Sequence, residues 1–235
     1  MTQELILGLA LLGILVGALA QAATGMGFSL VAAPLMVVAF GPREGVAVTV
    51  ALAALASVVP VTRYRRSVRP WLVGRLLVPT LVFTPLVAWA VRGVETRWLA
   101  LAGGVGVVIA VALLAFGLRS RWLGTPPGAV VAGASSAALN VVGGVGGPPI
   151  GLYAANAGWG PEVTRANLAA FFLVQNLATA AVLGVHAPAL GQLVVLGIGT
   201  ATGMLLAERL APATVRAGVL ALSLIGGIGL VGTAF

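Results

Sequence analysis

Seven stretches of this chain carry no formal charge: residues 5–42, 45–62, 76–91, 98–118, 122–161, 166–207 and 217–235. Ordinary soluble domains contain about 25% charged residues, whereas only 8% of this chain is charged and 60% is apolar. Crossing a hydrocarbon core of about 30 Å takes about 20 apolar residues as a helix, while a barrel shows strands of about 10 residues that alternate polar and apolar. No such alternation is present, so the fold class expected is an all-α integral membrane protein. Little chain is left for an extramembrane domain, a long linker or a low-complexity tail.

The net charge of +8 comes from 13 arginines and no lysine against five glutamates. The arginines sit at the ends of apolar runs, where basic residues set topology rather than bind nucleic acid. Arg63, Arg65, Arg66 and Arg69 form the densest basic loop, which the positive-inside rule assigns to the cytoplasm. Crossings at 72–91 and 98–118 then place Arg92, Glu95 and Arg97 outside, and Arg119 and Arg121 inside. Ala18-Leu19-Ala20 mimics a signal-peptidase site, but Glu4 is the only charge before Arg43, so a basic n-region is missing and a cleaved signal is not expected. The location expected is the inner (plasma) membrane, multi-pass, with both termini outside.

A pattern also recurs at an offset of 119 positions. Gln21 pairs with Asn140, Gly25 with Gly144, Gly27 with Gly146, Gly41-Pro42 with Gly160-Pro161, Ala47 with Ala166, Ser57 with Asn176, and Arg97 with Arg216. The simplest cause is a duplicated half. The first repeat is 1–118, with a broken segment at 5–41 and spans at about 45–62, 72–91 and 98–118. The second is 119–235, with a broken segment at 126–157 and spans at about 164–183, 190–207 and 213–232. The turn equivalent to the basic loop is GVHAPAL at 184–190, without a formal charge, while 208–216 carries Arg209 and Arg216. That reversal of charge predicts two inverted repeats. Three spans per half then require each leading segment to cross an even number of times. The run 5–42 extends about 57 Å as a helix, which predicts two short or half-length helices, broken or re-entrant, meeting at the glycines.

Those breaks are the candidate site. A helix stopped within a membrane exposes N–H and C=O groups that must face protein or a wet cavity. Glycine-interrupted segments at matching places in two halves point to a transporter binding site. The residues singled out for substrate binding are Gln21, Thr24, Gly25, Met26, Gly27, Phe28 and Ser29 in the first half. In the second they are Asn140, Gly143, Gly144, Gly146 and Gly147, with Gln175 and Asn176 from the following span. The glycines permit positive φ or close approach, and helices restarting near Phe28 and Ile150 aim positive dipole ends at an anion. The alternative for these glycines is close helix packing, to which Gly103, Gly104, Gly226 and Gly227 are assigned, and for the amides it is helix-to-helix hydrogen bonding. Pro148-Pro149 argues for a break, since it cannot continue an unbroken helix.

The absences narrow the chemistry further. There is no Asp, all five glutamates fall at segment ends, and His186 falls in an external turn, so no intramembrane carboxylate offers a proton or sodium relay. With no cysteine and no HExxH or Ser-His-acid pattern, catalysis, cofactors and metals are not expected. The partners expected are a small anionic substrate and the lipid bilayer, with homo-oligomerisation left open and nucleic acid excluded.

The paired glycine-rich breaks, Pro34 or Pro148-Pro149 after them, the Gly-Pro turns at 41 and 160, and two halves of about 119 residues resemble the TauE/SafE sulfite exporter family over essentially the whole chain. The resemblance implies a transporter, not an enzyme, exporting sulfite or an organosulfonate such as sulfoacetate. Gly25-Met26-Gly27-Phe28-Ser29 departs from the family's consecutive glycines. Met26 and Phe28 are therefore expected to narrow or line the pocket and to favour a substrate with an organic part. The mechanism expected is rocking of two halves around a central site, as a potential-driven uniport. An anion channel, or a permease for another small carboxylate or a neutral solute, is the alternative.

Overall fold

A computed structural model describes residues 3–117, 120–206 and 212–232. Arg119, Arg209 and the side chain of Arg216, used above to argue topology, and Glu208 lie outside the described residues. The described residues form helices and turns and no strand. In chain order the helices are α1 (Gln3–Thr24), α2 (Phe28–Phe40), α3 (Pro42–Arg63), α4 (Pro70–Ala90) and α5 (Thr96–Phe116), then α6 (Pro126–Gly143), α7 (Gly147–Asn156), α8 (Pro161–Leu183), α9 (Leu190–Leu206) and α10 (Pro212–Gly232). Single 3-10 turns at Arg65–Ser67 and Arg121–Gly124 lead into α4 and α6.

The offset of 119 also relates helix boundaries. Thr24, the end of α1, corresponds to Gly143, the end of α6, and Phe28, the start of α2, corresponds to Gly147, the start of α7. Neighbour relations repeat as well: α1 packs on α9 as α6 packs on α4, and α2 packs on α10 as α7 packs on α5. The helices of each broken pair are unequal rather than two matched halves. At about 1.5 Å per residue, the 22 residues of α1 are long enough to cross a bilayer, and the 13 of α2 are not.

Five helices are long and apolar enough to cross a membrane: Glu4–Thr24, Pro42–Arg63, Pro70–Ala90, Thr96–Phe116 and Pro161–Leu183. Their outer surfaces suit lipid. Trp71 and Trp89, at opposite ends of α4, are 73% and 71% exposed. Eighteen residues separate them, about 27 Å along a helix, which matches the spacing of two interfacial aromatic belts across a bilayer core. Trp98 and Phe116, both exposed, repeat that spacing on α5. The guanidiniums of Arg75 and Arg97 sit 5.2 and 4.7 Å from the Trp71 and Trp98 ring centres.

Between helices the contacts are made by small residues, since lipid offers no hydrophobic drive for association. A Cβ at Gly199 or Gly203 of α9 would fall 2.5 or 2.6 Å from the Leu15 or Leu19 carbonyl oxygen of α1. Gly104 and Gly227 let α5 and α10 touch, and Gly103 faces Gly143, as the packing reading of these glycines anticipated. The pair α3 and α8 forms the centre. Arg165, near the start of α8, donates to the hydroxyl of Tyr64, just after α3, at 2.9 Å. At the other end Val46 and Val50 of α3 share a cluster with Ala180 and Leu183 of α8. These two equivalent helices therefore run antiparallel.

The glycine contacts carry a test. A Cβ at Gly45 would lie 2.6 Å from the Met36 carbonyl oxygen, and backbone cannot yield as a side chain does, so Gly45→Ala should cost about 1–3 kcal/mol. Gly74, in α4, has nothing within 4 Å, and Gly74→Ala should stabilise by up to about 1 kcal/mol. Unfolding midpoints in detergent should move in opposite directions.

Candidate functional site

Both helix breaks last three residues, at 25–27 and 144–146. Each opens with a left-handed glycine, Gly25 at φ 83° and Gly144 at φ 68°, whose N–H still reaches Gln21 O at 2.8 Å or Asn140 O at 3.0 Å. Thr24 Oγ1 closes the first break by donating to the Ala20 and Met26 carbonyls at 2.9 and 2.6 Å, alternatives for one proton. Gly27 adds a second positive φ of 118°, whereas Gly146 has φ −75° and needs to be glycine for space. A Cβ there would stand 2.8 Å from Gln175 Nε2 and 2.9 Å from Asn140 Cβ.

A side-chain amide spans each break. Gln21 donates from Nε2 to Ser57 Oγ of α3 at 3.2 Å, and its Oε1 accepts from Phe28 N at 3.4 Å. Asn140 donates from Nδ2 to Asn176 Oδ1 at 3.1 Å and to Thr179 Oγ1 at 2.9 Å, both on α8, and its Oδ1 accepts from Gly146 N at 3.2 Å. The extra methylene of glutamine accounts for its reaching one residue further along the restarting helix. Behind the second break Ser136 Oγ donates to Gly146 O at 2.6 Å and accepts from Gln175 Nε2 at 2.7 Å. That chain fixes the Gln175 amide, because the serine proton is already committed to a carbonyl. Gln175 Oε1 is left buried without a partner among the described residues.

Between the breaks lies a cavity of about 20 Å³, lined by Gln21, Gly27, Ser29, Leu30, Ala53, Asn140, Gly146, Gly147, Phe172 and Asn176. Gln21 and Asn140, Gly27 and Gly146, and Ala53 and Phe172 are equivalent pairs in the two repeats. Ala53 and Phe172 lie near the midpoints of α3 and α8. A cavity needs about 10–15 Å³ to hold one water, so this one admits a water and no polyatomic anion. An apolar cavity of about 260 Å³ shares Gly27 and Leu30 with it and extends past Thr24, Met26, Leu114, Thr164, Leu168, Val219 and Leu220. A third, of about 400 Å³, contains Arg43, Glu44, Arg92 and His186 and also reaches Val141 and Val142, next to Asn140.

Seven of the fourteen residues expected at the site line the central cavity: Gln21, Gly27, Ser29, Asn140, Gly146, Gly147 and Asn176. Thr24 and Met26 face the neighbouring apolar cavity. Phe28 turns into the core with Ile14 and Met36. Gly25 lies under the Arg165 backbone, Gly143 against Gly103, and Gly144 against Ala33 and Thr49, while Gln175 stands one layer back. Sequence reading missed Leu30, Ala53 and Phe172 as lining residues, and Ser136 and Thr179 as supports. A signal was available: Ala53 and Phe172 precede Ser57 and Asn176 by four residues, one helical turn. Asn167, another polar residue within an apolar run, serves structure by accepting from Arg69 N at the start of α4 at 2.8 Å.

Broken helices meeting around buried amides at the core of an apolar bundle define a membrane transporter of the discontinuous-helix class. The family model for Sulfite exporter TauE/SafE matches residues 9–230. The chain belongs to that family, and so is a membrane transporter rather than an enzyme. No curated protein and no solved structure matches it.

The support behind the second break can be tested by Ser136→Ala, which leaves Gly146 O and the Gln175 amide buried without this partner. It should cost about 1–3 kcal/mol of stability. Ser29, half-buried and without a side-chain partner among the described residues, should tolerate Ser29→Ala in the same detergent melt.

Proposed function

We propose that the protein exports a small sulfur-containing anion, sulfite or an organosulfonate such as sulfoacetate, by alternating access around the cavity between the two breaks. The observation that carries the reading is that the polar groups left over at the cavity are donors. Asn176 commits Oδ1 to Asn140 and keeps Nδ2 without a partner among the described residues. Ser29 brings a hydroxyl, and the N–H groups of Ser29 and Leu30, at the start of α2, have no backbone acceptor among the described residues. Glu4, Glu44, Glu95 and Glu162 are all exposed. Donors without a fixed cation suit an oxyanion that must be released again, as backbone anion sites do.

The two helix starts contribute unequally. Pro148 and Pro149 remove two donors from the first turn of α7, so α2 and Asn176 supply most of the hydrogen bonds. Antiparallel packing of the equivalent helices α3 and α8 supports inverted repeats, because a two-fold axis that exchanges antiparallel helices lies across them, in the membrane plane. The arginines support an orientation. Arg63, Arg65, Arg66 and Arg69 share one end of the bundle with Glu162, which accepts from Ser67, and with Arg165. At the other end Arg43 donates to the Arg92 and Val94 carbonyls at 3.0 and 3.2 Å, near Glu44, Glu95 and Arg97. The more basic end is the cytoplasmic one in an inner membrane, which leaves both termini outside. The apolar cavity beside the first break then opens inward and the Arg43 cavity outward.

With no buried carboxylate among the described residues to couple protons or sodium, the membrane potential is the driving force, worth about 2.3 kcal/mol per charge per 100 mV. Counterflow of sulfite in proteoliposomes under clamped potential tests the reading. Exchange should saturate and efflux should quicken as the inside becomes more negative. Efflux that ignores potential and requires a proton or sodium gradient would overturn uniport, and failure of folded protein to exchange any sulfur anion would overturn the substrate class. Asn176→Asp puts a negative charge where a donor is needed and should abolish exchange. Asn176→Ser, which copies Ser57 of the other repeat, should retain a weakened exchange.

A further inference from the structure

We infer that Phe172 sets how large a group the transported anion can carry, and that it restricts the native protein to compact oxyanions of sulfite size in preference to organosulfonates with a tail. This rests on the anion-carrier reading above and narrows it. Across the pseudo-two-fold relation, position 53 of α3 and position 172 of α8 are equivalent, and both line the central cavity. One is a methyl group and the other a phenyl ring. The ring therefore occupies space that the opposite wall of the same site leaves free, and the cavity is reduced to about 20 Å³.

The ring belongs to the buried cluster of Ile150, Leu168 and Phe171 and also forms a wall of the central cavity. A Cβ added to Gly147, the first residue of α7, would lie 3.7 Å from Phe172 Cζ, so the ring tip stands beside the restart of the second broken helix. Its neighbour Phe171, fully buried, meets it edge-on with ring centres 5.4 Å apart and planes at 79°, limiting retreat into the bundle. The donors gather elsewhere, on Ser29, Leu30 and Asn176. An anion held by those donors presents its remaining substituent to the part of the cavity poorest in donors, where the single N–H of Gly147 and the Phe172 ring meet. Sulfite has no such substituent, whereas methanesulfonate carries a methyl and sulfoacetate a carboxymethyl group. Met26 and Phe28, the side chains expected from sequence to narrow the pocket, do not line it.

The test is proteoliposome counterflow with sulfite, methanesulfonate and sulfoacetate, reading the ratio of organosulfonate to sulfite exchange. Phe172→Ala should raise that ratio about 10-fold or more, the discrimination typical of one methylene in an apolar pocket. Gly147→Ala should lower it: the added methyl enters the same space in ordinary contact with the ring, at a residue without positive φ. A general loss of packing would depress all three substrates together and leave the ratio alone. If wild type exchanges sulfite but both variants, verified by melting curves, keep its ratio, the assignment of Phe172 is wrong and the carrier reading stands. Should Phe172→Ala fail to fold, Gly147→Ala decides the outcome by the same ratio. If wild type exchanges none of the three anions, the carrier reading and this inference fall together.

Discussion

A backbone interrupted within a membrane must find partners for the N–H and C=O groups that its helices no longer satisfy, and the centre of this protein is organised around that requirement. Each break meets it with an amide from the end of the preceding helix. Gln21 and Asn140 reach across to the restarting chain with one end and to α3 or α8 with the other. The amides therefore fix the shape of the breaks and also fasten the broken pairs to the central antiparallel helices. Of the groups left unpaired after these bonds are made, those that line the central cavity are the ones proposed above to meet a substrate.

Symmetry supplies the arrangement and departures from it supply the chemistry. Serine at 57 uses its only proton on Ala53 O and accepts from Gln21, whereas asparagine at 176 spends an oxygen on Asn140 and keeps an amide nitrogen. Phe28-Ser29-Leu30 begins α2 with amide N–H groups, while Gly147-Pro148-Pro149 begins α7 with one. Ala53 leaves room and Phe172 takes it up. On the reading proposed above, these three differences give the cavity a donor-rich pole and an apolar one.

The small central cavity and the larger cavities near it suit a carrier in which the two halves move relative to one another. Helices that meet through glycine and alanine have small, smooth contacts, and Gly103 against Gly143 is one of these beside the second break. Such contacts are held by dispersion rather than by buried ion pairs. The ion pair among the described residues, Arg97 with Glu95 at 3.5 Å, is exposed and contributes little.

Much of this was legible before any coordinates. Charge-free runs dictated helices in a membrane because lipid tolerates no unpaired backbone and few charges. The offset of 119 located both breaks, since glycine and proline act on the chain locally, at their own positions. Gln21 and Asn140 could be singled out as amides adjacent to those breaks. Which way a side chain faces was not legible, because every face of these helices is apolar and periodicity does not separate lipid from core. Thus Phe28 packs inward, Met26 serves a neighbouring cavity, and Phe172 stands at the centre although its neighbourhood reads as ordinary apolar helix. Sequence alone determined membrane class and the place of the breaks, because composition and backbone stereochemistry are local. Only tertiary structure decided which seven of the fourteen expected residues share a cavity and which groups remain unpaired, because that depends on how two antiparallel helices bring distant turns together.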